Sequence, residues 1–103
     1  MSKQLTTRAV SSINNDISNK FFELYPEIDA EVSDQFLYEL DNYLQGYIGD
    51  SFWYDEASIY FINLLNTIEA SFNVNLFLNE EGSLLSARFD ELISDYVEYP
   101  LYD

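Results

Sequence analysis

Apolar residues recur at three- and four-residue intervals in four separate stretches of this chain, the spacing of helices that bury one face. In the first, Val10, Ile13, Ile17, Phe21 and Leu24 share a stripe. Thr6 or Thr7 stands where an N-cap hydroxyl belongs, and Pro26 ends the run because the residue before a proline avoids helical geometry. The second stripe is Val32, Phe36, Leu40, Tyr43, Leu44 and Tyr47, and it runs out at Gly46 and Gly49. The third and longest is Ala57, Tyr60, Phe61, Leu64, Leu65, Ile68 and Phe72, with Ser51 or Asp55 as candidate caps. The fourth is predicted to start after Gly82 with Ser83 as N-cap; its face is Leu85, Phe89, Leu92, Ile93 and Tyr96, and Pro100 stops it. Between the last two, Val74-Asn75-Leu76-Phe77-Leu78 alternates weakly and reads as a short strand or an extended loop, with no partner strand evident.

This pattern predicts a mainly α fold: a four-helix compact domain with a short extended segment between helices 3 and 4. The 103 residues fit one domain spanning 1–103, and an apolar fraction of 48% suffices for a core despite the charge. No repeat, linker or low-complexity tract divides it.

Charge changes the picture more than composition does. There are 19 acids against 4 bases, a net charge of −15. Lys3, Arg8 and Lys20 lie in the first twenty residues; beyond them Arg88 stands alone among all the acids but Asp16. Such a surface repels nucleic acid and anionic membrane and attracts basic protein surfaces. There is no Cys and no His, which excludes thiol and Cys–His catalysis, zinc fingers, the Ser-His-Asp triad and a histidine pH switch. The N-terminal residues carry no apolar leader, and the run Ile59-Tyr60-Phe61-Ile62 is far too short to span a bilayer, so a cytoplasmic protein is expected.

The acids are arrayed by helix geometry. Successive members of the set Glu31, Asp34 and Asp41 keep within about 60° on the second helix, and those of Glu91, Asp95 and Glu98 do the same on the fourth. Like charges at these spacings cost about 0.2–0.5 kcal/mol per pair, and a merely soluble helix would interleave Lys or Arg. The arrays are therefore candidate partner-binding surfaces, with Asp90 beside the second. Tyr96, Tyr99 and Tyr102 stand among Asp95, Glu98 and Asp103 as candidate aromatic contacts, to a partner or across a dimer. The Phe52-Trp53-Tyr54 cluster reads as a core plug, and Arg88 as a structural cation paired with Asp95, Glu91 or Glu81.

Two sharper chemistries are disfavoured. Glu27, Asp29, Glu31 and Asp34 alternate like a calcium loop, but the central Gly and terminal Glu of an EF-hand are missing, so no metal is expected. Paired carboxylates could hydrolyse glycosides, but a helical domain of this size leaves little room for a cleft. No catalytic residue and no cofactor is assigned.

Residues 57–99 resemble the Ocr-like phage antirestriction proteins, DNA mimics that block type I restriction-modification enzymes. The carriers are Ile59-Tyr60-Phe61-Ile62-Asn63-Leu64-Leu65, the piece from Asn73 to Glu80, and Leu85-Ser86-Ala87-Arg88-Phe89-Asp90-Glu91, similar to that family's Leu-x-Ala-Arg-apolar-x-Glu helix. The resemblance implies a helical fold, a homodimer and occupation of a DNA-binding channel. Combined with the charge, it leads to the expectation of a phage-encoded, non-enzymatic inhibitor that occupies the DNA-binding site of a host defence protein of restriction-modification or CRISPR type. Carboxylates would stand in for phosphates, and no nucleic acid or membrane would be bound. The competing expectation is an acidic interaction module, such as an antitoxin or the chaperone of a basic protein.

Overall fold

The computed structural model describes residues 5–49, 53–75 and 80–95. Four helices carry them: α1 (Thr7–Leu24), α2 (Ala30–Gln45), α3 (Tyr54–Phe72) and α4 (Glu80–Ile93). No strand occurs among the described residues; an isolated parallel bridge joins Leu5 to Ile48. There the Gly49 amide donates to the Leu5 carbonyl at 2.9 Å, and a φ of +86° that glycine adopts without strain lets the chain turn to it.

Local chemistry explains most helix ends. The Thr6 hydroxyl accepts from the Ala9 amide at 3.1 Å, and α1 stops at Tyr25, one residue before Pro26. Asp29 caps α2 through the Glu31 amide. At the end of α3, Asn73 takes the left-handed conformation that asparagine tolerates, and Val74 donates back to the Glu69 carbonyl at 3.0 Å, closing a Schellman turn.

Three expected boundaries are corrected. Helix 3 begins after Trp53, which makes no side-chain cap; Asp55 lies inside the first turn, where its charge meets the positive end of the helix dipole. Ser51 lies outside the described residues. Helix 4 begins at Glu80, not after Gly82, so Gly82 and Ser83 are helical; Glu80 and Glu81 favour the earlier start through the same dipole. It ends at Ile93, well short of Pro100. Of 74–78, Val74 and Asn75 are not strand, and the rest lies outside the described residues. Trp53 is 40% exposed and so no core plug, whereas Tyr54 packs against the core; Phe52 is outside the description.

Each helix packs on two neighbours, α1 on α2, α2 on α3, α3 on α4 and α4 back on α1. Short connections and facing pairs such as Asn14 with Asp41 and Tyr47 with Glu56 make this an antiparallel up-down bundle. At its centre sits one phenylalanine from each helix. Phe21 stacks on Phe36 at 4.6 Å, Phe36 meets Phe61 edge-on at 5.8 Å, and Phe61 stacks on Phe89 at 4.2 Å. All four are at most 1% exposed. Each contact adds about 0.5–1.5 kcal/mol to the burial of its rings. A second stack, Tyr43 on Tyr60 at 3.7 Å, fastens α2 to α3, and the Tyr60 hydroxyl donates to the Glu39 carbonyl at 3.2 Å. Burial pushes the phenols of Tyr43 and Tyr60 up from the ordinary tyrosine value. The body has a radius of gyration of 13.6 Å and measures 41 × 26 × 22 Å.

Candidate protein-interaction surface

With Phe36, Leu40 and Leu44 turned into the core, helical geometry puts Glu31, Asp34, Tyr38 and Asp41 on the opposite side of α2. Glu31 and Asp34 are exposed, Tyr38 is 62% exposed, and Asp41 is half-buried. Along the axis the carboxylates are spaced by about 4.5 and 10.5 Å, with the Tyr38 ring in the longer gap. The stripe borders a shallow basin of about 720 Å³, whose floor is Leu37, Tyr38 and Phe72. Its acids are carbon-backed, so the face is both charged and apolar.

Asp41 is fixed from α1: the Asn14 amide nitrogen donates to its Oδ1 at 2.6 Å, and Gln45 adds a longer contact at 3.4 Å. The amide oxygen of Asn14, Oδ1, is buried and has no hydrogen-bond partner among the described residues. Asn14 and Asp41 share a groove with Asn15, Ser18 and Leu37, adjoining the basin. A donor entering there would meet the Asp41 carboxylate.

The fourth helix is arranged differently. Asp90 lies in the groove between α3 and α4, whereas Glu91 faces the groove between α4 and α1, so adjacent carboxylates serve separate surfaces. Arg88 lies in the α4–α1 groove with Glu91. Its Nε and Nη2 grip Asp16 of α1 at 2.7 and 2.5 Å, and its Nη1 reaches Glu91 at 3.0 Å. The expected Glu91 pairing is present, but the bidentate partner is Asp16, 72 residues away, and neither Asp95 nor Glu81. The hydrogen bonds from Arg88 hold the Asp16 carboxyl below its ordinary range, and those carboxylates in turn raise the guanidinium. Asp95 is exposed just past the helix end. Glu98, Tyr96, Tyr99 and Tyr102 lie outside the described residues.

Charge is thus distributed unevenly. On α1, Arg8 and Lys20 offset Asp16 and Glu23, with Lys20 3.8 Å from Glu23. On α2, Glu31, Asp34, Glu39 and Asp41 meet no basic residue of their own helix. Among the described residues no group of Asp and Glu is disposed to hold a metal ion, and no helix is long and apolar enough to cross a membrane. Sequence reasoning selected the α2 acids but missed Tyr38 and Asn14; the i,i+4 offset of Tyr38 from Asp34 was the available signal for the first.

No protein-family model matches the chain, and neither a curated protein nor a solved structure does.

Proposed function

We propose that this chain is a phage-encoded DNA mimic that acts in the host cytoplasm by occupying the DNA-binding site of a defence protein, of restriction-modification or CRISPR type. The observation that carries this reading is the α2 stripe: Glu31, Asp34 and Asp41, unopposed by any base on the helix, beside an exposed Tyr38. Sites that read DNA are built to receive a row of anions with Lys and Arg. Carboxylates on a rigid helix supply the anions without the strand, and Tyr38 offers a face on which a guanidinium can stack. Asp41, held in place by the Asn14 amide, adds an acceptor to which such a cation can donate. The net charge of −15 supplies the long-range steering.

Displacement is the test. A labelled DNA duplex is bound to a type I restriction-modification enzyme or a CRISPR effector, and the protein is titrated in while anisotropy is followed. Release of the duplex from at least one of these, weakening steeply as salt rises, is the expected result. Binding that leaves the DNA in place supports the acidic interaction module instead, and an affinity insensitive to salt sinks the phosphate-mimic mechanism.

A further inference from the structure

The groove between α3 and α4 departs from the charge pattern of the chain. Residues 57–68 contain no charged side chain, on a chain of net charge −15. The stack of Phe61 on Phe89 sets the two antiparallel helices in register, so Ile62 stands near Asp90 and Asn66 nearer Gly82 along a space of about 370 Å³. The α4 wall of this groove is low, built from Gly82, Ser83, Ser86 and Ala87. Its α3 rim is Ile62, 48% exposed, continued one turn on by Ile59, 60% exposed. A single outward isoleucine is ordinary; two a turn apart beside a groove make an apolar ridge. Carboxylates border the groove rather than fill it. Asp90 lies on its α4 side, and Glu80 precedes Ser83 by three residues on the same helix face, about 15 Å from Asp90 along the axis. Neither is in an ion pair among the described residues.

We propose that this groove receives an amphipathic helix of another protein, one with an apolar stripe two to three turns long and a Lys or Arg at each end. A furrow between two packed helices takes a third helix as its natural occupant, and small residues on one wall let the axes approach toward the close end of the usual 8–10 Å. The stripe would lie on Ile59 and Ile62, with side chains spaced at i, i+4 and i+7 as in other helix-in-groove contacts. Asp90 and Glu80 fix the charge of its ends, because an acidic helix would meet both of them unpaired. The net charge of −15 selects the same kind of partner at long range and repels an anionic lipid surface. An extended peptide finds no sheet edge to join among the described residues. The groove lies across α3 from the basin beside the α2 stripe, so the two surfaces are separate and this proposal does not rest on the DNA-mimic reading.

The test uses the whole chain, labelled with nitrogen-15, and a synthetic helical peptide of about 16 residues, about 24 Å long, with leucines at helical spacing and lysines at both ends. One control shuffles the same residues so that the apolar face is lost while the charge is kept. A second keeps the helix and replaces the lysines by glutamates. No DNA-binding target is present, so the functional proposal is judged separately. Amide shifts should gather on the groove residues of α3 and α4. In anisotropy titrations the shuffled peptide should bind at least about fivefold more weakly, and the glutamate peptide should not bind. Ile62→Asn should weaken binding of the lysine peptide by at least about fivefold, Asp90→Asn by up to about fivefold, and Asp34→Asn by less than about twofold. Ile62 and Asp34 are exposed and Asp90 is half-buried, and circular dichroism checks the fold of each variant. Equal affinity for the shuffled peptide, shifts centred on the α2 stripe, indifference to Ile62→Asn, or no binding of the lysine peptide would overturn the proposal.

Discussion

Neutralising the α2 stripe is the perturbation that separates a distributed mimic from a site built on one indispensable acid. In the triple variant Glu31→Gln, Asp34→Asn, Asp41→Asn, each lost contact with a basic partner is worth about 0–1 kcal/mol while solvent-exposed. Three together reach at most about 3 kcal/mol, close to 150-fold in affinity, whereas any single change stays below about tenfold, since tenfold needs about 1.4 kcal/mol. The fold should tolerate the change. Removing Asp34 relieves its repulsion with Glu31 by about 0.2–0.5 kcal/mol. Removing Glu31 forfeits about 0.3–1 kcal/mol of helix-dipole interaction in the first turn. Asp41→Asn keeps an acceptor for Asn14 but loses the charge that shortens that bond to 2.6 Å. The matching variant on the fourth helix, Asp90→Asn, Glu91→Gln, Asp95→Asn, should lose less, because Arg88 already occupies Glu91 and Asp90 points into another groove. DNA displacement titrations of both triples and all six singles, with melting curves alongside, decide it. One carboxylate whose loss alone abolishes displacement, or a fourth-helix triple more damaging than the α2 triple, would refute the reasoning.

Three further outcomes follow from the packing and the titrating groups. Phe36→Ala should cost about 3–5 kcal/mol in urea unfolding; it should exceed Phe89→Ala, because Phe36 meets both Phe21 and Phe61. Asp16→Asn should lower the melting temperature near neutral pH. Since Arg88 holds the folded carboxyl below its unfolded value of 3.8, that contribution is complete above this pH and fades as pH falls through the folded value, so the two melting curves should converge in strong acid. At the alkaline end, burial with Glu81 and Glu69 nearby pushes Tyr25 up to about 12. The unfolded chain ionises first, so stability should decline between about pH 10 and 12, and Tyr25→Phe should blunt the decline.

The amino-acid sequence by itself determined the helices and their buried faces. Phe21, Phe36, Phe61 and Phe89 each belonged to a stripe, and all four meet in the core. That is legible because a helix repeats every 3.6 residues whatever it packs against, and because Thr6 and Pro26 act on neighbours in the chain. The row Glu31, Asp34 and Asp41 was legible for the same reason. The start of α4 was not, since glycine argues locally against a helix interior while two acids and burial against α3 argue for it. Nor could spacing choose Asp16 for Arg88, because sequence neighbours such as Glu91 satisfy the same rule and only the closing of α4 onto α1 presents Asp16 to the guanidinium. The closure also splits Asp90 from Glu91 and leaves Ile59 and Ile62 facing out. Periodicity says that a helix has a buried face, but which residues beyond its edge are covered depends on how many neighbours the helix has and on which sides they lie. In a ring of four that number is two, and only the tertiary structure sets it.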